Sequence, residues 1–124
     1  MQHKKILMVD DEPIMLEEMS EFLESLDFDC VVASSVDEAL QAIQEDSDIT
    51  LVITDMRMPG KDGKVLLRAL GELSPREFEC LVISGHLDAD SELSGTAKFP
   101  LTVMRKPVDI DEVVTFLNAR EFIG

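Results

Sequence analysis

The sequence predicts an α/β fold, a doubly wound sheet of five parallel strands with helices on both faces. Three observations predict it. Five short apolar runs, at 6–9, 30–33, 51–54, 80–83 and 101–104, alternate with stretches whose apolar residues recur at helical spacing. The runs are continuous rather than alternating, as strands buried on both faces require. Strict strand–helix alternation in turn implies right-handed crossovers and a parallel sheet.

The first strand, Ile-Leu-Met-Val at 6–9, runs into Asp10-Asp11-Glu12-Pro13. Pro13 suits the first turn of a helix, where its missing N–H is not needed. Met15, Met19, Phe22, Leu23 and Leu26 then mark the expected inward face of that helix. Cys30 to Ala33 is the second strand. Ser35-Val-Asp-Glu38 is a capping-box sequence, and Val36, Ala39, Leu40 and Ile43 follow on one stripe. The third strand, Leu-Val-Ile-Thr from 51, ends at Asp55, and Pro59-Gly60 and Gly63 break the chain after it. A third helix begins near Gly63, turns Leu66, Ala69, Leu70 and Leu73 inward and closes by Pro75. The fourth strand, 80–83, leads to Ser84-Gly85-His86. Residues 87–100 have few apolar anchors and predict at most a short helix. The fifth strand, 101–104, precedes Arg105-Lys106-Pro107. Asp109 to Glu112 resembles a second capping box, and Ile110, Val113, Val114 and Leu117 give the last helix its buried face.

At 124 residues the chain is expected to be a single domain, 1–124, long enough for its own core. Asp and Glu number 26 against 11 Lys and Arg, a net charge of -15. Such a surface repels phosphate backbones, which argues against direct nucleic-acid binding. Cys30 and Cys80 each open an apolar run without ligand spacing, so both read as reduced, buried strand residues. No apolar run approaches the ~18 residues of a membrane span. The N-terminus carries no secretory pattern, so the expected compartment is the cytoplasm.

In open parallel sheets, sites form beyond the carboxyl ends of strands, where strand order reverses. Strand one delivers Asp10 and Asp11 there, strand three Asp55, strand four Ser84 and strand five Lys106. Taken singly, the first two are ordinary helix caps, Ser84 a turn residue and Lys106 an exposed lysine. Taken together, they are complementary. Three crowded carboxylates need a cation, and hard oxygen ligands on short loops suit Mg²⁺. Lys106 and Ser84 add a positive charge and a hydroxyl. Those are the parts of phosphoryl transfer, with Asp55 as the nucleophile.

Val9-Asp10-Asp11-Glu12-Pro13, Asp55-Met-Arg-Met-Pro59-Gly60-Lys-Asp-Gly63, Ser84-Gly85 and Lys106-Pro107, in this order, resemble the receiver domains of two-component response regulators. The resemblance covers nearly the whole chain and implies a flavodoxin-like sheet of order 2-1-3-4-5. It implies that Asp55 takes a phosphoryl group from a sensor histidine kinase or a histidine phosphotransfer protein. Asp11, Asp55 and the Arg57 carbonyl would bind Mg²⁺ directly and Asp10 through water. Ser84, the Gly85 amide and Lys106, with Met56, would hold the phosphoryl oxygens. The Lys106–Pro107 bond would be cis. The phosphorylated state would shift the surface formed by the 87–100 segment, strand five and the last helix toward an output domain or protein, with a homodimer as one form. Its partner would dock on the first helix and the loop after strand five. The domain would be no enzyme beyond assisting its own phosphorylation and dephosphorylation.

One position departs from the family. An aromatic residue usually sits three residues before the lysine, where this chain has Val103. Output through Phe99, or through reorganisation of residues 87–100, is the expected alternative. Arg57 and His86 lie two residues after Asp55 and Ser84, at positions that tune phosphate lifetime in the family. Three other readings compete. An aspartate-nucleophile phosphatase commonly has a second acid where Arg57 stands. A flavodoxin-type binder would want a hydroxyl- and glycine-rich loop in place of Asp-Asp-Glu-Pro. A receiver-like scaffold that is never phosphorylated would not need the full residue set.

Overall fold

Each apolar run becomes a strand, and each helical stripe a helix laid across them. The computed structural model describes residues 5–55, 63–73, 78–84, 101–105 and 109–119. In chain order the elements are β1 (Lys5–Val9), α1 (Pro13–Ser25), β2 (Cys30–Ala33), α2 (Val36–Glu45), β3 (Ile49–Asp55), α3 (Gly63–Gly71), β4 (Glu79–Ser84), β5 (Leu101–Arg105) and α4 (Ile110–Ala119). The five strands form one parallel sheet in the order β2-β1-β3-β4-β5. The doubly wound, flavodoxin-like architecture expected from the sequence is therefore the one observed. Residues 87–100, with Phe99, lie outside the described residues.

Alternation along each strand divides the core in two. Leu7, Val9, Val52, Cys80 and Val82 face α2 and α3, where Val36, Ala39, Ile43, Leu66, Leu67 and Leu70 cover them. Ile6, Met8, Leu51, Ile53 and Leu81 face the other way, under Leu16 and Leu23 of α1 and Val113, Phe116 and Leu117 of α4. Burial of a side chain of this kind stabilises by roughly 1.5–3 kcal/mol. β3 is in the middle and contributes to both clusters. At its amino end a bulge interrupts the ladder: Lys5 pairs with Ile49 but Ile6 pairs with Leu51, leaving Thr50 as the extra residue.

Helix ends follow their sequence signals where the signals are polar. Ser35 caps α2, its Oγ accepting the Glu38 N–H at 3.1 Å. The Asp109 carboxylate accepts the Asp111 N–H at 2.9 Å at the start of α4. Pro13 opens α1, and its N-cap Glu12 makes no side-chain cap. The carboxyl end of α1 has no glycine. The Phe28 N–H bonds the Leu23 carbonyl at 3.1 Å and the Asp27 N–H the Glu24 carbonyl at 3.0 Å, a Schellman pair closed by Asp27 at φ 71°.

Two expectations are corrected. The inward face of α1 is Leu16 and Leu23 with Met19 half-buried, whereas Met15, Phe22 and Leu26 are exposed. The apolar arc of this helix is wider than the sheet covers, and the sequence stripe centres on its uncovered side. Cys30 is only half-buried because β2 is an edge strand, while Cys80 in β4 is fully enclosed; both are free thiols, as expected. Val103 lies half-buried on β5 against the α2–α3 cluster.

Candidate functional site

The sheet register brings the expected carboxylates to one edge. β1 ends at Val9, opposite Ala33 of β2 and Thr54 of β3. The ladder with β2 extends one step, as the Asp10 N–H bonds the Ala33 carbonyl at 3.2 Å. That bond carries Asp10 to the level of Asp55, the last residue of β3. The Asp10 carboxylate also accepts the Glu12 N–H at 3.0 Å, which turns the chain into α1 and leaves Asp11 at the apex. A carboxylate oxygen from each of Asp10, Asp11 and Asp55 lies within 4.8 Å of the others.

The three differ in their exposure to water. Asp55 is 6% exposed, Asp10 is half-buried and Asp11 is exposed. Asp55 lines the floor of a cleft whose wall is Met15, Leu16 and Met19 of α1. Carboxylates gathered this closely repel one another when ionised, least screened on the side of the nearly buried Asp55. A hard divalent cation fits this donor set, because carboxylate oxygens on two short loops leave room for its remaining waters. The arrangement can therefore collect a cation beside one nearly buried carboxylate.

Ser84 closes β4, next to Ile83, the partner of Asp55, and opposite Arg105 at the end of β5. Its backbone thus reaches the same edge of the sheet. Met56, Arg57, Gly85, His86 and Lys106, with the Lys106–Pro107 bond, lie outside the described residues. One buried polar neighbour was not singled out from the sequence. Thr54 is completely enclosed, and its hydroxyl donates to the carbonyl of Asp55 at 3.0 Å. In sequence it reads as one more β-branched strand residue, and only its place before the acid marks it.

Comparison with known proteins places this geometry. Residues 6–118 match the response regulator receiver domain family. The chain is 29% identical over 122 residues to the two-component response regulator PprB of Pseudomonas aeruginosa, covering 97% of this chain and 44% of that protein. It is 28% identical over 118 residues to the DNA-binding transcriptional regulator NtrC of Klebsiella pneumoniae, covering 95% of this chain and 25% of that protein. The chain thus spans less than half the length of either relative. Among solved structures, a response regulator receiver domain protein of Clostridium thermocellum superposes with a TM-score of 0.81 at 31% identity, over 94% of this chain and 92% of that one. A response regulator receiver protein of Pseudomonas putida gives 0.83 at 26% identity, over 94% and 97%. With the sheet order, the acidic edge and the sequence match agreeing over nearly its full length, this chain belongs to the response regulator receiver domains of two-component signalling.

Proposed function

We propose that Asp55 is the phosphoacceptor of a signalling relay and that 1–124 is one receiver domain. The observation that carries the reading is the meeting of the Asp10, Asp11 and Asp55 carboxylates at the carboxyl ends of β1 and β3. An Asp55 oxygen attacks the phosphorus of a phosphohistidine on a sensor kinase or phosphotransfer protein. The phosphorus–nitrogen bond breaks, and the imidazole leaves with the bonding pair. Burial of Asp55 strips water from the nucleophile and from the acyl phosphate that forms.

Asp11, Asp55 and the Arg57 carbonyl would hold Mg²⁺ directly, with Asp10 acting through water. Bound there, the ion would neutralise the carboxylate cluster and share charge with the phosphoryl oxygens. The Ser84 hydroxyl, the amides of Met56 and Gly85, and the Lys106 ammonium would hold the remaining oxygens. The domain assists its own phosphorylation and dephosphorylation but turns over no other substrate.

The donor docks on α1 beside the cleft and on the loop after β5. Three large apolar side chains on α1 and one at its C-cap support this: Ile14 is 71% exposed, with Met15, Phe22 and the C-cap Leu26 also open to solvent. Phosphorylation shifts populations at the surface formed by the 87–100 segment, β5 and α4. An output domain or protein reads that surface, with a homodimer as one form of the readout. No described helix is long and apolar enough to cross a membrane, and the relay operates in the cytoplasm.

The test is incubation with acetyl phosphate and Mg²⁺, followed by intact mass. One added phosphoryl group is expected, absent without Mg²⁺ and absent in Asp55→Asn. No gain in mass refutes the phosphoacceptor. Multiple turnover of varied phosphate esters would instead make the chain a phosphatase.

A further inference from the structure

We infer that Thr54 is a positioning residue for phosphoryl capture: its hydroxyl holds the peptide unit that follows Asp55 in the orientation the reaction needs. The inference rests on Asp55 being the phosphoacceptor and adds a residue outside the charged set.

Thr54 is 0% exposed, and its strand neighbours are Val9 on β1 and Val82 on β4. Alternation turns it to the face opposite the Asp55 side chain, toward the apolar α2–α3 layer. A hydroxyl buried in such surroundings is costly unless bonded, and valine would fill the same volume without that cost. The Thr54 hydroxyl meets the requirement by donating to the Asp55 carbonyl at 3.0 Å.

The consequence follows from peptide geometry. A trans peptide unit is planar, and its N–H points away from its C=O. A bond that fixes the Asp55 carbonyl therefore constrains the plane of the peptide unit that begins there. In the proposed reaction the amide of that unit would donate to a phosphoryl oxygen. An amide already aimed at developing charge spares the site a reorganisation during the reaction. The Thr54 side chain lies on the face opposite the Asp55 carboxylate and acts only through this peptide plane.

Two substitutions separate this role from packing. Thr54→Val keeps the shape and removes the hydroxyl; Thr54→Ser keeps the hydroxyl and removes a methyl. The measurements are the phosphorylation rate constant with acetyl phosphate at saturating Mg²⁺ and the thermal midpoint. Thr54→Val is expected to melt no lower than wild type and to phosphorylate about fivefold more slowly, the loss of one modest hydrogen bond in the transition state. Thr54→Ser is expected to melt lower and to keep the wild-type rate. A Thr54→Val protein that phosphorylates as fast as wild type overturns the inference while leaving Asp55 as acceptor. Equal slowing in both variants overturns it too, by making packing the cause. If wild type gains no phosphoryl group, the reading of Asp55 falls first, and this one with it. Should Thr54→Val not fold, Thr54→Ala against Thr54→Ser makes the same comparison.

Discussion

At Asp27 the backbone turns left-handed to end α1, at φ 71°. Asp tolerates this region better than most residues but still crowds its own Cβ against the backbone, whereas glycine does not. Asp27→Gly is therefore expected to stabilise the fold by about 0.5 kcal/mol, after the extra freedom of the unfolded glycine is subtracted. Urea unfolding checks it: the midpoint should rise at unchanged slope. This turn was not legible in the sequence, because the usual marker of a helix end is a glycine and here an acid holds the position. The opposite holds for Asp10, Asp11 and Asp55, whose approach was readable from where three carboxylates fall relative to two apolar runs. Thr54 was hidden for a third reason: its chemistry depends on a bond to its neighbour's carbonyl, and no spacing rule encodes that.

Among the elements, α1 shows most clearly what periodicity can and cannot say. The stripe Met15, Met19, Phe22, Leu23 and Leu26 correctly marks an amphipathic helix, but its centre lies on the flank rather than the base. Leu16 and Leu23, two turns apart, are the side chains the sheet encloses, Met19 between them is half-buried, and Met15, Phe22 and Leu26 are left to solvent. A helix with more apolar surface than its own domain covers is expected to spend the excess on a partner. Phe22→Ser should therefore slow phosphotransfer from a histidine phosphotransfer protein by about tenfold, the size of a modest interface anchor. Phosphorylation by acetyl phosphate, which needs no docking, should stay at the wild-type rate. Slowing of both reactions would show that the substitution damages the site itself. By contrast, the Ser35 cap on α2 was legible, because Ser35 and Glu38 sit three apart and the Glu38 N–H donates to the Ser35 hydroxyl, while the Glu38 carboxylate accepts from the hydroxyls of Ser34 and Ser35.

For the molecule as a whole, the alternation of runs and stripes was enough to anticipate five parallel strands and helices on both faces. It could not say that Phe78 and Phe116 join the core, since a lone aromatic beside a strand or on a helix carries no period. Global stability should also respond to pH through the half-buried Cys30 thiol and the enclosed Cys80 thiol. Burial, aided by Glu24 and Asp29, pushes the Cys30 thiol from its ordinary 9.0 up to about 12. Burial, with a smaller push from Glu79, raises the Cys80 thiol as well. A folded-state pKa above the unfolded one favours the fold fully below the unfolded value and progressively less as pH rises through the folded one. Lys5, raised above 10.5 by its bond to Asp46 at 2.7 Å, adds to the same slope at the alkaline end. The urea midpoint is thus expected to decline from about pH 9 upward, and Cys30→Ala combined with Cys80→Val should flatten the decline.

The division of the core by β3 has a consequence for how the protein emerges during synthesis. The layer beneath α1 is sealed by Val113, Phe116 and Leu117 of α4, the last described helix. Until those residues leave the ribosome, α1 is the one described helix covering Ile6, Met8, Leu51, Ile53 and Leu81. Translation that pauses after β5 would hold a complete sheet with this layer half covered. Folding of this chain should thus be completed only after α4 has been made.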